Sequence, residues 1–158
     1  MESFQLIGGI SAGHAYRLKT ALLKRELAHG GALLNLLLRQ TLALITQAGQ
    51  TAVCNRHHSV QQQLCLWILS CLDRVSSNEL TMTQERIANM LGVRREGVTA
   101  AACNLQKTGV LHYRRGHIVV NDRASLEAQV CECYAVVKRQ YDRLPCGGGT
   151  LEPGMSRQ

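Results

Sequence analysis

The order of five residues in the middle of the chain constrains the fold more than any other feature of the sequence. Thr83 is a candidate helix N-cap, and Ala88 is a small residue within the helix that it would start. Gly92 follows where a tight turn between two helices needs a residue that tolerates positive φ. Two helices that cross steeply through such a turn also need a small residue at their contact, which Ala88 supplies. With Val98 and Ala101 packed back onto the first helix, this register predicts a helix-turn-helix.

The residues after this turn predict a recognition helix and a β-hairpin. The second helix should run over about residues 94–107. Its outer face carries mostly short side chains, which would let it enter a DNA major groove ~12 Å wide. The residues on that face are Arg95, Glu96, Thr99, Ala100 and Cys103. Two short β-type runs, 110–113 and 117–120, then predict a hairpin wing with Arg114 and Arg115 at its tip.

Positive charge is concentrated in the same region. The whole chain has a formal net charge of +7 and a pI near 9.3. Between Thr81 and Arg123 there are seven lysines and arginines against three acidic residues. A basic surface with a cationic wing suits a phosphate backbone, so these charges predict double-stranded DNA as the partner.

A long helix is predicted before the DNA-binding region, at about residues 31–55, with apolar residues in two stripes of three-to-four spacing. One stripe, the predicted dimerisation surface, consists of Leu34, Leu37, Thr41, Leu44 and Ala48, and the other of Leu38, Leu42, Ile45 and Ala52. A helix with two apolar sides needs two partners, which we expect to be its own domain and the same helix of a second copy. Hydrocarbon would penalise Arg39 and Gln47 in this helix, so a membrane is not an expected partner.

The remaining segments complete a mainly α fold. Residues 56–144 are predicted to form the DNA-binding domain, with one helix capped by Ser59 and a last helix over about residues 123–143. Residues 1–30 have little pattern and are expected to be weakly structured, and the glycine-rich tail at 145–158 is expected to be disordered. The sequence thus predicts a winged helix-turn-helix with a small β-hairpin wing, preceded by a long dimerisation helix.

Leu80 to Glu127, which reads LTMTQERIANMLGVRREGVTAAACNLQKTGVLHYRRGHIVVNDRASLE, resembles the C-terminal domain of Crp/Fnr-family bacterial transcription regulators. The earlier segment LLNLLLRQTLALITQ resembles the lower part of their dimerisation helix. The resemblance covers about residues 32–143. It implies a homodimer on a two-fold symmetric DNA site, with its recognition helices one DNA turn, ~34 Å, apart.

The resemblance also implies roles for residues of the predicted interface. Arg95 and Glu96 match a family pair in which the arginine reads guanine and the glutamate accepts a hydrogen bond from cytosine. Thr99 lies on the same face and is a third candidate for base contact. The predicted phosphate contacts are Thr83, Gln84, Arg94, Arg114, Arg115 and His117.

The chain departs from the family pattern at three positions of this interface. Arg94 stands where the family usually has Ser or Thr. Gly97 replaces a hydroxyl residue that contacts phosphate, and Ala100 replaces a second base-reading arginine of several members. We therefore expect the preferred DNA sequence to differ from that of the family, and to be less strictly defined.

The largest departure lies before the long helix. Family members carry an N-terminal β-barrel sensor there, whereas residues 1–29 resemble only the end of such a barrel. The sequence contains neither a recognisable phosphate cassette for a cyclic nucleotide nor an N-terminal cysteine cluster. We therefore expect no effector and no cofactor, and the chain is interpreted as a truncated gene product.

Two functions are compatible with these features. The first is sequence-specific transcription regulation by a cytoplasmic homodimer, with RNA polymerase as a further candidate partner. The alternative is an interaction protein that pairs through Leu34, Leu37 and Leu44 with a full-length homologue and titrates it. An enzyme is not expected, because no catalytic set occurs at interpretable positions. His112 and His117 are expected to face each other across the hairpin, in strand packing or phosphate contact.

The cysteines are interpreted as reduced thiols. There are seven, an odd number that favours a reducing compartment over a disulfide framework. Cys54 lies close to His57 and His58, but three ligands are fewer than the four that zinc usually takes, so no metal is expected there. Cys131 and Cys133 would lie on different faces of a continuous helix and could not share an ion. Oxidation of Cys103 on the recognition helix could block entry into the groove.

Overall fold

The computed structural model describes residues 17–144. The elements in this range are α1 (Thr20–Ala28), α2 (Ala32–His57), α3 (Val60–Leu72), β1 (Glu79–Thr81), α4 (Gln84–Leu91), α5 (Arg95–Lys107), β2 (Leu111–Arg114), β3 (His117–Val120), α6 (Arg123–Gln129) and α7 (Cys133–Asp142). The fold is mainly α with one small sheet, as the sequence predicted. No helix in the described part is both long and apolar enough to cross a membrane.

The hydrophobic core lies between α3, α4, α5 and α6 and one face of the sheet. Ile87 on α4 and Val98 and Leu105 on α5 are completely buried, and for Val98 this confirms the predicted packing onto the first helix. Leu64 on α3 and Ile118 on β3 close the same cluster. Burial of each such side chain contributes about 1.5–3 kcal/mol, and the cluster therefore fixes the crossing of α4 and α5.

Side-chain caps define where three of the helices begin. The Ser59 hydroxyl accepts a hydrogen bond from the backbone N–H of Gln62 at 3.3 Å, and the Gln62 amide oxygen accepts one from the Ser59 N–H at 3.0 Å. This capping box starts α3. Thr83 caps α4 at 3.3 Å and Asp122 caps α6 at 3.0 Å, so the predicted starts of all three helices are confirmed.

The sheet has three antiparallel strands in the order β1-β3-β2. The strands β2 and β3 were predicted from the sequence, whereas β1, in which Leu80 pairs with Ile118 of β3, was not. A strand of three residues with one buried side chain is too short for its alternation to be recognised. Because β1 precedes α4 directly, its pairing anchors the helix-turn-helix to the wing.

The hairpin between β2 and β3 is joined by two residues, Arg115 and Gly116, both with positive φ. This turn sets the register so that Arg114 faces His117. The expectation that His112 faces His117 is therefore wrong, and the partner of His112 is Val119. A pairing of His112 with His117 would need a turn of four residues, whereas the observed turn has two, and this difference shifts every pair along the strands.

The last predicted helix is broken into α6 and α7. Val130, Cys131 and Glu132 connect them without a helical hydrogen-bond ladder, and Val130 has the extended conformation (φ −81°, ψ 156°). The interruption carries no glycine or proline, which is why the sequence pattern did not reveal it. Cys131 and Cys133 are consequently not on opposite faces of one helix, and both are buried.

The long helix α2 packs against α7 through a face that contains neither of the two predicted apolar stripes. Ala43 and Cys54 are buried on this face, and Gln47 between them accepts a hydrogen bond from the Tyr141 hydroxyl at 2.6 Å. At about 100° per residue, the two leucine stripes merge into one apolar face on the opposite side of the helix. Leu37, Leu38, Leu42, Leu44 and Ile45 are all exposed there. The expectation that one stripe packs on the chain's own domain is therefore wrong.

A polar network connects α6 and α7 with the C-terminal end of α3. Arg123 donates to Asp73 at 2.5 Å and to Glu127 at 2.8 Å, and these hydrogen bonds raise the pKa of Arg123. The Tyr134 hydroxyl donates to Asp73 at 3.0 Å. Burial, reinforced by the Asp73 charge, raises the pKa of Tyr134 to about 12.

The N-terminal part of the described chain differs from expectation. Thr20–Ala28 form α1, where weak structure was expected, and none of its residues is buried. The expected sensor remnant covers residues 1–30, of which 1–16 lie outside the described residues, as does the expected disordered tail at 145–158.

Candidate nucleic-acid interface

The turn between α4 and α5 has the geometry that the sequence register predicted. Gly92 is the C-cap of α4, with φ +68°, and the following Val93 N–H donates to the Ala88 carbonyl at 3.0 Å. Ala88 and Ala101 are both buried at the helix crossing. The absence of longer side chains at these two positions allows the close approach that presents α5 on the surface.

The first turn of α5 presents three charged side chains to solvent. Arg94 is the N-cap residue and makes no side-chain cap, as expected from its lack of a short hydroxyl. Arg94, Arg95 and Glu96 are exposed, and so are Ala100 and Cys103 one and two turns later. A helix start with unsatisfied backbone N–H groups and two arginines favours an anionic partner.

Thr99 differs from the other residues of this face because it is half-buried. Its hydroxyl lies 2.7 Å from Oε1 of Gln84 and 3.0 Å from the carbonyl of Arg95. Both contacts are internal to the protein. Thr99 therefore connects α5 with the first turn of α4, on which Gln84 is the first residue.

The wing is attached rigidly to the start of α4. The Met82 N–H donates to the Gly116 carbonyl at 2.7 Å, and the Tyr113 hydroxyl donates to the Met82 carbonyl at 2.6 Å. The Tyr113 N–H donates to the Gln106 side chain at 2.9 Å, which ties β2 to α5. Burial raises the pKa of Tyr113, and the nearby positive charge of Arg95 opposes this shift.

These elements enclose a groove of about 390 Å³ between α4, α5 and the wing. It is lined by Thr83, Gln84, Glu85, Arg95, Tyr113, Arg115 and Gly116. Four predicted site residues thus meet in one groove: Thr83, Gln84, Arg95 and Arg115. Its wall is polar, and its two arginines outnumber the single carboxylate, so the groove carries a net positive charge.

The other predicted phosphate contacts lie outside this groove lining. Arg94 and Arg114 are exposed beside it, and His117 pairs with Thr81, whose hydroxyl lies 3.5 Å from its Nδ1. Tyr113 and Gln106, which position the wing, were not predicted from the sequence. A tyrosine in a strand that ends at a cationic turn was the only signal for the first, and nothing in the sequence pointed to the second.

Comparison with known proteins identifies the domain. Residues 62–129 match the model of the Crp-like helix-turn-helix domain. Among solved structures, the chain is similar to a transcriptional regulator of the Crp/Fnr family from Eubacterium rectale, with 29% identity, 50% of this chain covered and a TM-score of 0.47. It is also similar to the Thermus thermophilus catabolite activator protein, with 22% identity, 69% of this chain covered and a TM-score of 0.42. A search of curated proteins finds no match.

The chain spans 37% and 43% of the length of these two solved proteins. The matched segment of 62–129 begins in α3 and ends with α6, so it includes the helix-turn-helix and the wing. The chain therefore carries a Crp-like helix-turn-helix domain, as the resemblance of Leu80 to Glu127 predicted.

Proposed function

We propose that this Crp-like helix-turn-helix domain binds duplex DNA in a sequence-dependent manner and thereby regulates transcription. The observation that carries the proposal is the joint groove of α4, α5 and the wing, in which Arg95 and Arg115 line one basic surface. On such a surface, a helix can enter the major groove while a cationic hairpin contacts the adjacent phosphates.

The residues of the interface divide into two roles. Arg95 and Glu96 are exposed on the first turn of α5, where the N-terminal residues of a recognition helix meet base edges. Arginine pairs with guanine O6 and N7, and glutamate accepts from cytosine N4. The proposed phosphate contacts are Thr83, Gln84, Arg94, Arg114, Arg115 and His117. Thr99 is assigned to positioning, because its hydroxyl is engaged within the protein.

The exposed apolar face of α2 supports a homodimer. Leu37 and Leu44 of the predicted dimerisation stripe are 36% and 52% exposed, and Ile45 beside them is 64% exposed. The predicted stripe of Leu34, Leu37, Thr41, Leu44 and Ala48 forms one side of this face. A second copy of α2 would cover it in an isologous contact, which places two recognition helices on a symmetric site.

A selection from random duplex DNA with the purified full chain tests the proposed function. We expect enrichment of an inverted repeat whose half-sites are centred about 10 base pairs apart, measured at a stated salt concentration. Variants of Arg95 in the same selection serve as the internal control. Recovery of sequences no different from the input library would contradict sequence-dependent binding.

Sedimentation equilibrium tests the dimer independently of DNA. We expect a dimer for the parent chain and a monomer for Leu37→Glu combined with Leu44→Glu, because charges would be buried in the contact. Met90→Glu is the matched control, since Met90 is 50% exposed on α4 and outside the α2 face. A monomeric parent that forms mixed dimers with a full-length Crp/Fnr regulator would favour the titrating function instead.

A further inference from the structure

Four side chains of metal-binding types form one cluster between the C-terminal end of α2 and the junction of α6 with α7. Cys54 lies in the last turn of α2 and His58 is its C-cap residue, while Cys131 and Cys133 flank Glu132 at the break between α6 and α7. The ligand atoms of all four side chains lie within 4.8 Å of one another. Residues 77 positions apart in sequence are thus brought into one cluster.

Two of the distances between these atoms match the edges of a zinc tetrahedron. Cys54 Sγ and Cys131 Sγ are 3.7 Å apart, and Cys133 Sγ is 3.6 Å from His58 Nδ1. A tetrahedral zinc ion with Zn–S of ~2.3 Å and Zn–N of ~2.0–2.1 Å has S–S edges of ~3.8 Å and S–N edges of ~3.6 Å. The other pairs of ligand atoms lie within 4.8 Å, so shifts of about 1 Å or less would bring all four onto one ion.

The surroundings of the cluster hold its ligands in place. Cys54, Cys131 and Cys133 are buried, with Leu66 packed against them. The buried Gln63 donates from Nε2 to the carbonyl of His58 at 3.1 Å and lies 3.5 Å from that of Cys54. These contacts fix the chain where it leaves α2, and with it two of the four ligands.

Glu132 orients the imidazole toward the thiols. Its carboxylate lies 3.3 Å from His58 Nε2, while the opposite ring nitrogen, Nδ1, faces Cys133. With its proton on Nε2, beside this carboxylate, the ring would leave the lone pair of Nδ1 free for the cluster. A carboxylate behind a histidine is the usual outer-shell arrangement of a metal-bound imidazole.

We infer that Cys54, His58, Cys131 and Cys133 form a structural zinc site that joins the long helix to the DNA-binding domain. Three thiolates and one imidazole are a ligand set that zinc favours, and all four positions are occupied by protein, as in closed structural sites. Each thiol loses its proton to solvent as the ion binds, and no electron transfer is involved. The site adds a fixed connection between α2 and the α6–α7 junction, and it does not depend on DNA binding.

Two expectations that argued against a metal were wrong in their geometry. The count of three ligands near Cys54 did not include Cys131 and Cys133, which are distant in sequence but lie beside Cys54 in the fold. Cys131 and Cys133 would diverge only on one continuous helix, and the chain between them and α6 is not helical. The alternative to metal binding is a disulfide between Cys54 and Cys131, because these two thiols are already in contact.

Metal analysis of the full chain, purified under reducing conditions from zinc-supplemented cells, tests the site. We expect one zinc per chain by plasma mass spectrometry, and a melting temperature that falls when a chelator removes the metal. Reconstitution with cobalt(II) should give the visible bands of a tetrahedral centre together with near-ultraviolet thiolate-to-cobalt charge-transfer bands. A zinc-free chain whose melting temperature responds to neither zinc nor chelator would overturn the proposal.

Variants assign the ligands. Cys131→Ser and Cys133→Ser should each lose stoichiometric zinc and weaken the charge-transfer bands. Cys103→Ser, which changes an exposed thiol outside the cluster, should keep one zinc per chain. If the cysteine variants do not fold, Glu132→Ala still provides a test, because loss of the outer carboxylate should weaken zinc ~10–100-fold while the cobalt spectrum persists.

Three results would exclude this assignment. The first is equal loss of zinc in Cys103→Ser and Cys131→Ser. The second is unchanged zinc affinity in Glu132→Ala together with full zinc content in Cys131→Ser. The third is a Cys54–Cys131 disulfide found by peptide mass spectrometry in chain prepared under reducing conditions.

Discussion

The Thr99 hydroxyl lies 2.7 Å from Oε1 of Gln84, so that α5 is tied to the first turn of α4 by a side-chain hydrogen bond. Thr99 is on the outer face of α5, yet its hydroxyl points to the protein rather than into the groove. Its predicted role in base contact is therefore replaced in our proposal by a positioning role, and Gln84 becomes the residue whose placement depends on it.

Thr99→Val tests this positioning role. The substitution keeps the branched shape and removes the hydroxyl, so the free energy of unfolding should fall by about 0.5–1.5 kcal/mol. DNA affinity should fall to a similar extent for all sequences, because Gln84 is no longer held. A binding assay across operator variants should therefore give an unchanged rank order. A changed preference at a single base pair would mean that Thr99 reads a base after all.

Arg95→Ala should act on sequence preference. The exposed arginine on the first turn of α5 is proposed to read guanine, so its loss should cost ~1–3 kcal/mol at the preferred site and less at other sites. Competition binding with single-base operator variants measures the difference. Lys107→Ala, which changes a cation in the last turn of α5 and outside the groove lining, is the matched control. If Arg95→Ala and the parent rank the variants identically, Arg95 is not a base reader.

Arg115→Asn should separate charge from hairpin stability. Arg115 has φ +50°, a left-handed conformation that costs most residues about 1–2 kcal/mol but that asparagine tolerates. Asn followed by Gly116 is the favoured pair for this two-residue turn, so the melting temperature should rise. The loss of a cation at the wing should nevertheless weaken binding to all sequences and reduce the salt dependence by about one phosphate contact.

The control for the wing is Arg115→Lys, which retains the charge and the strained conformation. It should keep the parent's salt dependence without the gain in melting temperature. If Arg115→Asn leaves the salt dependence unchanged, the wing does not contact phosphate.

Two glycines in the helix-turn-helix should respond in opposite directions to alanine. Gly92 has φ +68° and open space around it, so Gly92→Ala should lower the free energy of unfolding by about 1 kcal/mol through backbone strain alone. Gly97 is helical, and an added Cβ would lie 3.6 Å from the methyl groups of Val60, an ordinary contact. Gly97→Ala should therefore stabilise by up to ~1 kcal/mol. Urea unfolding of both variants measures the pair, and a shift of the same sign in both would contradict this interpretation.

The helix-turn-helix could be predicted from the sequence because each of its key residues is needed for a local structural reason. Gly92 is needed for positive φ, Ala88 for close approach, and Thr83 for an N-cap, and these demands can be read without knowing the rest of the fold. The break at Glu132 and the strand β1 depend instead on distant contacts. β1 exists because β3 is there to pair with it, and the α6–α7 junction has no glycine or proline to mark it.

The side of α2 that packs on its own domain was also set by tertiary contacts. Leucine stripes are the stronger periodic signal, yet the buried face is formed around Ala43, with Gln47 bonded to Tyr141. Small and polar residues can form such a face when a specific partner lies across from them, and helical periodicity alone does not identify that partner. For the same reason the convergence of Cys54 with Cys131 could not be predicted from spacing.

The ionisation of Tyr134 should lower the free energy of unfolding at alkaline pH. Its pKa is raised from 10.0 to about 12, first by burial and then by the charge of Asp73. Because the folded state holds this proton more tightly than the unfolded chain, the contribution is fully present below pH 10.0 and is lost as the pH rises to about 12. Tyr134→Phe removes this titration but keeps the Arg123–Asp73 ion pair. Urea unfolding should therefore show a steeper loss of stability above pH 10 in the parent than in the variant, whereas parallel curves would mean that Tyr134 does not titrate differently in the two states.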